Sequence, residues 1–492
     1  VTSATILGVV IGYLLILLAI GFWGGRESGD LKGYYVAGKK LPSWVIAFSS
    51  NATGESAWLL LGLTGMGYAI GVHAFWIIMG EVLGVACAWV FVARPFKEYT
   101  DRCDAITVPD YLTERFLDTS NAFRWLSAVI ILSMVVAYTA AQLTASGKAF
   151  DSFLGTGYTQ GVWIGLAIVL FYTTVGGFKA VAYSDFLQGV LMLGCLLMLP
   201  IVGIANAGGW GDMIATLRAQ DPALLEPMGA YGLTLAGVIS AAGSVAIGLA
   251  FLGSPQLLTR FMAARDQKQI VDGGFWAVIC VIGFDVGAVF GGMAGRSLFP
   301  GLADPETILP AMSAALFPAF FTGIFLVVVL AAIMSTMDSL LILASSVVVR
   351  DIVQKTLGSS ASERMLSIMG KGITVVIGIV GLVVALLEVR VIFDFVLFAW
   401  SGIACAFTPV VLCSLYWKRT TREGAIAGMI GGFVTTVIWV RVFKAGFYEL
   451  YEMIPGFAAG LLVCIVVSLA TKPDERAVAE LESVRGTVGP VF

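Results

Sequence analysis

Long apolar runs recur along the whole chain of 492 residues, and they constrain its fold more than any other feature. A helix that crosses a membrane needs about 20 apolar residues, and runs of roughly this length are bounded here by charges, Gly or Pro. Only 12% of the residues are charged, against about 25% in a soluble domain, so a soluble globular protein is excluded. The sequence predicts an all-α polytopic membrane protein with about thirteen spans, at 4–23, 44–70, 73–97, 121–153, 161–177, 181–206, 234–262, 273–296, 317–350, 367–387, 391–417, 423–444 and 454–471.

Several classes of partner and chemistry are excluded by the same composition. The net charge is −3 and there is no basic tract, which gives no footprint for nucleic acid. A single histidine, His73, makes a His-ligated metal centre improbable, and the seven Cys lie far apart, as reduced packing residues do. No obligate protein partner is evident. We expect membrane lipid and a small molecule to be the partners of the chain.

The positions of the basic residues predict the orientation in the membrane. With the N-terminus outside, most of the 29 Lys and Arg residues fall in cytoplasmic loops, as the positive-inside rule requires. The charges near the first run follow it, so we expect a true span rather than a cleaved signal peptide. We therefore predict an outside N-terminus and a cytoplasmic C-terminus.

Two of the predicted spans contain helix-breaking residues. The second carries the polar run 49–56 (SSNATGES) at its middle, and the seventh contains Gly243-Ser244, Gly248 and Gly253-Ser254-Pro255. Unpaired backbone at membrane depth survives only where it is buried in protein or lines a wet cavity. Interrupted helices in corresponding places of two halves are typical of the midplane binding site of a secondary transporter. Close helix packing through small residues is the alternative for Gly243 and Gly248.

The two interruptions predict an inverted repeat of five plus five helices, each half opening with a broken helix. The predicted segments are an N-terminal extra helix and loop (1–43), a first repeat (44–206), an extracellular loop (207–233), a second repeat (234–417), two extra helices (418–471) and a cytoplasmic tail (472–492). The tail contains a short amphipathic stretch at 477–484. It is too short for a signalling domain, which favours a transporter over a transporter-like sensor.

Ionisable residues within the apolar runs are mostly acidic. A buried charge costs several kcal/mol unless it is compensated, so such residues are functional candidates. Lys148 is the one clear basic counterpart, and we interpret Asp285 as a structural or a titrating group. We predict function for Glu55 and Asp338 among the acidic set of Glu55, Glu81, Asp285, Asp338 and Asp394.

A stripe of hydroxyl groups precedes and follows Asp338. Helical spacing puts Ala332, Ser335, Thr336 and Ser339 on one face. Facing the freed carbonyls near Ala52 and Glu55, this stripe would offer oxygen ligands to Na⁺. A Ser/Thr packing seam is the alternative interpretation.

Short segments spread over nearly the whole chain resemble the sodium:solute symporter family, and most closely its bacterial sodium/proline symporters. The segments are 35–41 (YVAGKKL), 56–60 (SAWLL), 107–111 (TVPDY), 176–178 (GGF), 184–185 (SD), 260–264 (RFMAA), 334–336 (MST), 416–417 (YW), 424–425 (GA) and 454–457 (IPGF). The resemblance implies thirteen helices with a core of the leucine-transporter type, alternating access, Na⁺ as the coupling ion and a place in a bacterial inner membrane.

The resemblance also implies the site residues. A main sodium site would use the backbone oxygens of Ala52, Glu55 and Ala332 with the hydroxyls of Ser335 and Thr336. A second cation site would fall on Asp185, Ser335, Asp338 and Ser339. The substrate pocket would be lined by Gly54, Glu55, Ser56, Ala57, Trp58, Tyr138, Ile247, Phe251 and Pro255.

The chain departs from the family's proline pattern at the first broken helix. Proline transporters usually read Ala-Ser-Asp-Met-Ser-Gly-Trp where this chain has Ala52-Thr53-Gly54-Glu55-Ser56-Ala57-Trp58, so the acid has moved by one place. The family's proline-site Trp and Tyr correspond to Ile247 and Phe251. We predict a sodium-coupled importer of proline or a related amino acid. Alternatives are import of a cationic amine paired with Glu55, proton coupling through Glu55, or a sensor or channel. An enzyme is not expected, because no nucleophile and base can be assembled near Glu55 or Asp338.

Overall fold

A computed structural model describes residues 2–26, 29–387 and 392–488, and the side chain of Asp394 lies outside the described set. The described chain is helical, with no β-strand, and one isolated bridge joins Leu41 to Ala264. Its α-helices are α1 (Thr2–Gly25), α2 (Leu31–Val36), α3 (Ser43–Ala57), α4 (Thr64–Ile70), α5 (Phe75–Cys87), α6 (Ala93–Arg102), α7 (Val108–Arg115), α8 (Ala122–Leu154), α9 (Tyr158–Asn206), α10 (Trp210–Gln220), α11 (Leu235–Ala246), α12 (Pro255–Ala263), α13 (Gln267–Leu298), α14 (Ile308–Leu316), α15 (Ala319–Ser346), α16 (Glu363–Leu386), α17 (Ile392–Tyr416), α18 (Arg422–Ile438), α19 (Met453–Ala470) and α20 (Glu475–Val488).

The helices agree with the thirteen predicted spans. Eleven stretches of the described chain are long and apolar enough to cross a membrane. One of them, Ser43–Arg102, is 60 residues long and holds two crossings, because Gly71 (φ +56°) ends the first. Gly177 (φ +63°, ψ −177°) divides α9 in the same way, and the shorter apolar helix Tyr158–Phe171 precedes it.

Each predicted interruption is present as a break in the helix. Near the end of α3 the backbone of Ser56 takes φ +55° and ψ −169°, and a π-helical stretch, Trp58–Leu63, then leads to α4. Between α11 and α12 a 3₁₀ stretch, Ile247–Leu252, ends at Gly253, and Pro255 begins α12. A proline suits the first helical turn because its missing N–H has no partner there anyway.

The two broken helices lie at the centre of the bundle. α3 packs against α9, α13 and α15, and the stretch Ile247–Leu252 packs against α5 and α17. α15 is almost wholly buried, whereas most residues of α1, α18 and α19 are not buried, and each of these helices has some exposed apolar residues. The interrupted backbone is therefore buried in protein. This is required because its N–H and C=O groups that lack helical partners could not face lipid.

The two ends of the bundle carry different elements. The tail face carries α7 and α20, and the loop face carries residues 207–233. The predicted amphipathic tail is α20, which buries Ala477, Leu481 and Val484 and packs against α6. The predicted loop 207–233 is more ordered than a loop, since it contains α10 and two short 3₁₀ turns.

Candidate functional site

The hydroxyl stripe of α15 contacts the first helix break. Ser335 Oγ donates to the carbonyl of Ala52 over 2.9 Å and lies 3.1 Å from the carbonyl of Ala332. Thr336 Oγ1 donates to the carbonyl of Thr53 over 3.1 Å. These oxygens are buried, and hydroxyl and carbonyl groups are the ligands that hard cations prefer. The residues assigned to a main sodium site therefore fit that ion in chemistry.

Glu55 differs from the other four residues of that assigned set. Its carbonyl accepts the backbone N–H of Trp58 at the end of α3. Its carboxylate faces α5 and α13, where its ligand oxygen lies within 4.8 Å of oxygens of Glu81 and Asp285. The structure thus brings together Ala52, Ala332, Ser335 and Thr336, with Thr53 added, and directs the Glu55 side chain elsewhere.

The residues of the second assigned cation site converge as well. Asp185 Oδ2 accepts from Ser49 Oγ over 2.6 Å. Ser339 Oγ donates to the carbonyl of Ser335 over 2.7 Å and lies 3.3 Å from Asp338 Oδ1. All of these groups are buried.

A guanidinium group, which sequence reasoning did not place here, lies among those residues. Arg260 Nη2 is 3.2 Å from Asp185 Oδ2 and 2.7 Å from Thr53 Oγ1, and it also bonds to Ser339 Oγ. The sequence singled out Arg260 only as part of the segment 260–264, yet the structure buries it in the last turn of α12, the tail-face half of the second broken helix. The available signal was the pair of buried acids, Asp185 and Asp338, which need a cation within reach.

The residues assigned to the substrate pocket meet around an aromatic group. A Cβ on Gly54 would lie 2.8 Å from Cε1 of Phe251, so only glycine permits this approach. The Phe251 and Trp400 ring centroids are 5.3 Å apart, and those of Tyr138 and Trp400 are 6.5 Å apart. Trp400 Nε1 donates to the carbonyl of Ile247 over 3.2 Å.

The first break is held by one of its own side chains and by one side chain of α8. Ser56 Oγ accepts the N–H of Trp58 over 3.1 Å, and Gln142 Oε1 accepts the N–H of Ala57 over 3.2 Å. Pro255 is buried at the start of α12. Sequence reasoning missed Gln142 and Trp400, and the signal for both was a polar or aromatic residue in the middle of an apolar run.

Among the described residues, a large cavity lies on the loop-face side of the aromatic group. A cavity of about 680 Å³ opens toward the loop face and reaches Ile247; its walls include Ser240, Gly243, Lys444, Tyr451 and Glu452. Toward the tail face, the cavity beside Arg260 has a volume of only about 10 Å³. The larger of these two cavities therefore lies between the aromatic group and the loop face.

Comparison with known proteins gives a consistent result. A family model described as the sodium:solute symporter family matches residues 34–432. The high-affinity proline transporter PutP of Bacillus subtilis is 37% identical over 94% of this chain and 98% of its own length. The osmoregulated proline transporter OpuE of the same organism is 33% identical over 94% of both chains. The sodium/proline symporter of Staphylococcus aureus is 34% identical over 97% of this chain and 95% of its own.

Solved structures with the same fold are more distant in sequence. An outward-open, substrate-bound Na⁺-coupled sialic acid symporter superposes with a TM-score of 0.82 at 18% identity, over 95% of this chain and 98% of its own. Mhp1, a nucleobase-cation-symport-1 transporter, gives 0.56 at 12% identity, over 93% of this chain and 96% of its own. MhsT in complex with L-phenylalanine gives 0.52 at 15% identity, over 87% and 98%. The five-plus-five core of the leucine-transporter type is thereby confirmed.

Proposed function

Because the chain belongs to the sodium:solute symporter family, we propose that it uses the Na⁺ gradient to import proline or a closely related amino acid. The observation that carries this proposal is the contact between α15 and the first helix break. There Ser335 and Thr336 donate to the carbonyls of Ala52 and Thr53. A Na⁺ ion bound among these oxygens would join two elements that must separate when the site opens to the other side.

The coupling mechanism follows from that position. Sodium stabilises the state in which α3 and α15 are in contact and the cavity is open toward the loop face. Substrate then adds binding energy only in the closed form, because a ligand shifts a conformational equilibrium only by its differential affinity for the two states. Opening toward the tail face parts α3 from α15, which removes ligands from the ion and releases it where Na⁺ is scarce.

The substrate assignment rests on the relatives and on the pocket. The relatives quoted above are named as proline transporters or symporters. The pocket offers aromatic surface from Phe251, Trp400 and Tyr138 beside polar backbone at Ser56 and Ala57, which suits a small zwitterion with an apolar ring. Glu55 replaces a neutral residue of the proline pattern, and we assign its carboxylate to the cluster with Glu81 and Asp285.

The location and the site residues belong to the same proposal. We place the protein in a bacterial inner membrane with its N-terminus outside, which makes the loop face extracellular and the tail face cytoplasmic. The main sodium site comprises Ala52, Ala332, Ser335 and Thr336, with the carbonyl of Glu55. Asp185, Asp338 and Ser339 surround Arg260, and that guanidinium competes there with any second ion.

A substrate panel in proteoliposomes tests the proposal. Purified protein is reconstituted, an inward Na⁺ gradient is imposed, and accumulation of radiolabelled proline, other neutral amino acids, betaines and polyamines is counted against a K⁺-only control. We expect proline to accumulate above its external concentration only with the Na⁺ gradient. Equilibration without accumulation would identify a channel, and preferential uptake of a polyamine would identify the cationic-amine alternative.

A further inference from the structure

The polar run of α3 divides between two faces of the helix, and the faces differ in charge. Ser49 and Thr53, one turn apart, point toward Asp185, where the buried Arg260 supplies a positive charge. Asn51 and Glu55, also one turn apart, point toward α13, where Asn51 Nδ2 donates to the carbonyl of Ala277 over 2.6 Å. The second face therefore meets the part of α13 that carries Asp285, two turns beyond Ala277.

Three carboxyl groups from three separate spans meet on that second face. Glu55 of α3, Glu81 of α5 and Asp285 of α13 each offer an oxygen, and these oxygens all lie within 4.8 Å of one another. A hard cation bound about 2.4 Å from each ligand holds its oxygens at most about 5 Å apart. The distances between the three carboxyl oxygens therefore match the distances between ligand oxygens around one bound cation.

A second observation, independent of the clustering, also points to a ligand. Both carboxylate oxygens of Glu55 and both of Asp285 lack any hydrogen-bond donor within the described protein, as does Oε2 of Glu81. Glu55 and Asp285 are 0% exposed and Glu81 is 3% exposed, so bulk water does not solvate them. Buried carboxylates elsewhere in the described bundle have donors: Asp118 accepts from Ser120, Phe123 and Arg422.

We propose that Glu55, Glu81 and Asp285 form a second sodium site, separate from the site between α3 and α15. The inference rests on the proposed function, because that function supplies Na⁺ as the ion. A buried carboxyl group that keeps its charge must be paired or coordinate a metal, and no Lys or Arg ion pair reaches these three among the described residues. Mg²⁺ would retain several waters, for which a dry cluster has little room.

The position of this carboxylate site gives it a role in coupling. Glu55 directly precedes the break at Ser56. Glu81 follows Gly80, and Gly80 lies against Gly248 of the second broken helix so closely that a Cβ on Gly248 would be 1.8 Å from the Gly80 carbonyl oxygen. An ion at the site would therefore join the first broken helix to α5, which itself packs against the second broken helix. The account predicts two Na⁺ ions per chain, one on each face of α3.

Counting bound ions tests the inference directly. Equilibrium binding of ²²Na⁺ to purified protein, without substrate, is measured for the wild type, Glu81→Gln and Asp285→Asn. We expect two ions per chain in the wild type and one in each variant. Glu55 is left unchanged because its carbonyl is assigned to the first site. Thr336→Ala should weaken binding of the other ion about tenfold, and Asp285→Asn combined with Thr336→Ala should leave only that weakened site.

A matched control and the wild type keep the test decisive. Asp118→Asn also removes a buried carboxylate, but one that already has its own donors, and it should keep two ions. One ion in the wild type, two ions in both carboxyl variants, or a site filled by ⁴⁵Ca²⁺ that Na⁺ does not displace would each overturn the proposal. Should the carboxyl variants fail to fold, the counts for the wild type and for Asp338→Asn, which removes a carboxylate of the other assigned cation site, decide instead: two ions in both support the proposal, and one ion in either overturns it. Sodium-driven proline uptake with a single bound ion would leave the proposed function standing and remove only this inference.

Discussion

At the scale of single residues, the hydroxyl groups of Ser335 and Thr336 are the side-chain ligands of the proposed main sodium site. Each variant, Ser335→Ala or Thr336→Ala, removes one oxygen ligand and one hydrogen bond to α3. We expect the Na⁺ concentration for half-maximal uptake to rise about tenfold, which corresponds to about 1.4 kcal/mol. The measurement is proline uptake against Na⁺ concentration, with the thermal unfolding midpoint as the control for folding. An unchanged dependence of uptake on Na⁺ concentration in both variants would show that the sodium site does not lie on α15.

We assign Trp58 to the substrate side of the same break. Trp58 is buried and its backbone N–H is held by Ser56 Oγ. Trp58→Ala removes aromatic surface but no oxygen ligand, so we expect the proline KM to rise about tenfold and the sodium constant by less than twofold. Uptake kinetics with each ligand varied in turn would show the difference. Equal loss of both constants would indicate instead that the helix break had collapsed.

At the scale of elements, the close approach of α5 to the second broken helix positions both breaks. A Cβ on Gly248 would lie 1.8 Å from the carbonyl oxygen of Gly80, and one on Gly84 would lie 2.1 Å from the carbonyl oxygen of Gly248. The methyl group added by Gly248→Ala would clash with backbone atoms of α5, so the two backbones must move apart. We expect it to cost at least about 1–3 kcal/mol of stability and most of the transport activity.

The control for that prediction is Gly194→Ala, because a Cβ at Gly194 in α9 meets nothing within 4 Å. Thermal unfolding in detergent and uptake in proteoliposomes compare the two variants. Gly194→Ala should behave as the wild type. An equal effect of both substitutions would show that the measured loss does not come from this contact.

At the scale of the whole molecule, a buried ionic network joins distant spans at the tail face. Arg124 Nη1 lies 2.6 Å from Asp110 Oδ1 and 2.7 Å from Asp351 Oδ1, and Arg350 Nε lies 2.9 Å from Asp110 Oδ2. Burial raises the pKa of Asp110, but the two guanidinium groups outweigh it and hold that pKa below its usual value. The network holds α7, α8 and the end of the α15 span together.

The direction of that pKa shift fixes a pH dependence. A depressed pKa in the folded state stabilises the protein above the unfolded pKa, near 3.9, and this contribution is lost as pH falls through the folded pKa. Asp110→Asn should lose about 3 kcal/mol at pH 7, because the guanidinium groups lose a buried partner. The stability of the variant should also decrease less on acidification than the stability of the wild type. Thermal unfolding from pH 3 to pH 7 measures both, and parallel curves would contradict the assignment.

The sequence predicted the architecture well because hydropathy and helix-breaking residues act locally. Apolar runs located the thirteen spans, and the run at 49–56 located the first break. Contacts between spans were not predictable in the same way. Arg260 with Asp185, or Glu55 with Glu81 and Asp285, join residues on different helices, and their meeting depends on how each helix is rotated in the bundle. Hydropathy determines where a helix lies along the chain. It gives only weak information about which face of the helix points into the bundle.

The central claim is that sodium and substrate cross the membrane together, and reversed coupling tests it most directly. Proteoliposomes are prepared with equal Na⁺ on both sides, and an inward proline gradient is imposed while ²²Na⁺ influx is followed with the membrane potential clamped. Because coupling between ligands is reciprocal, the account predicts that proline drives ²²Na⁺ accumulation against its own gradient, and that Thr336→Ala sharply reduces it. Entry of proline with no net movement of ²²Na⁺ would contradict the account.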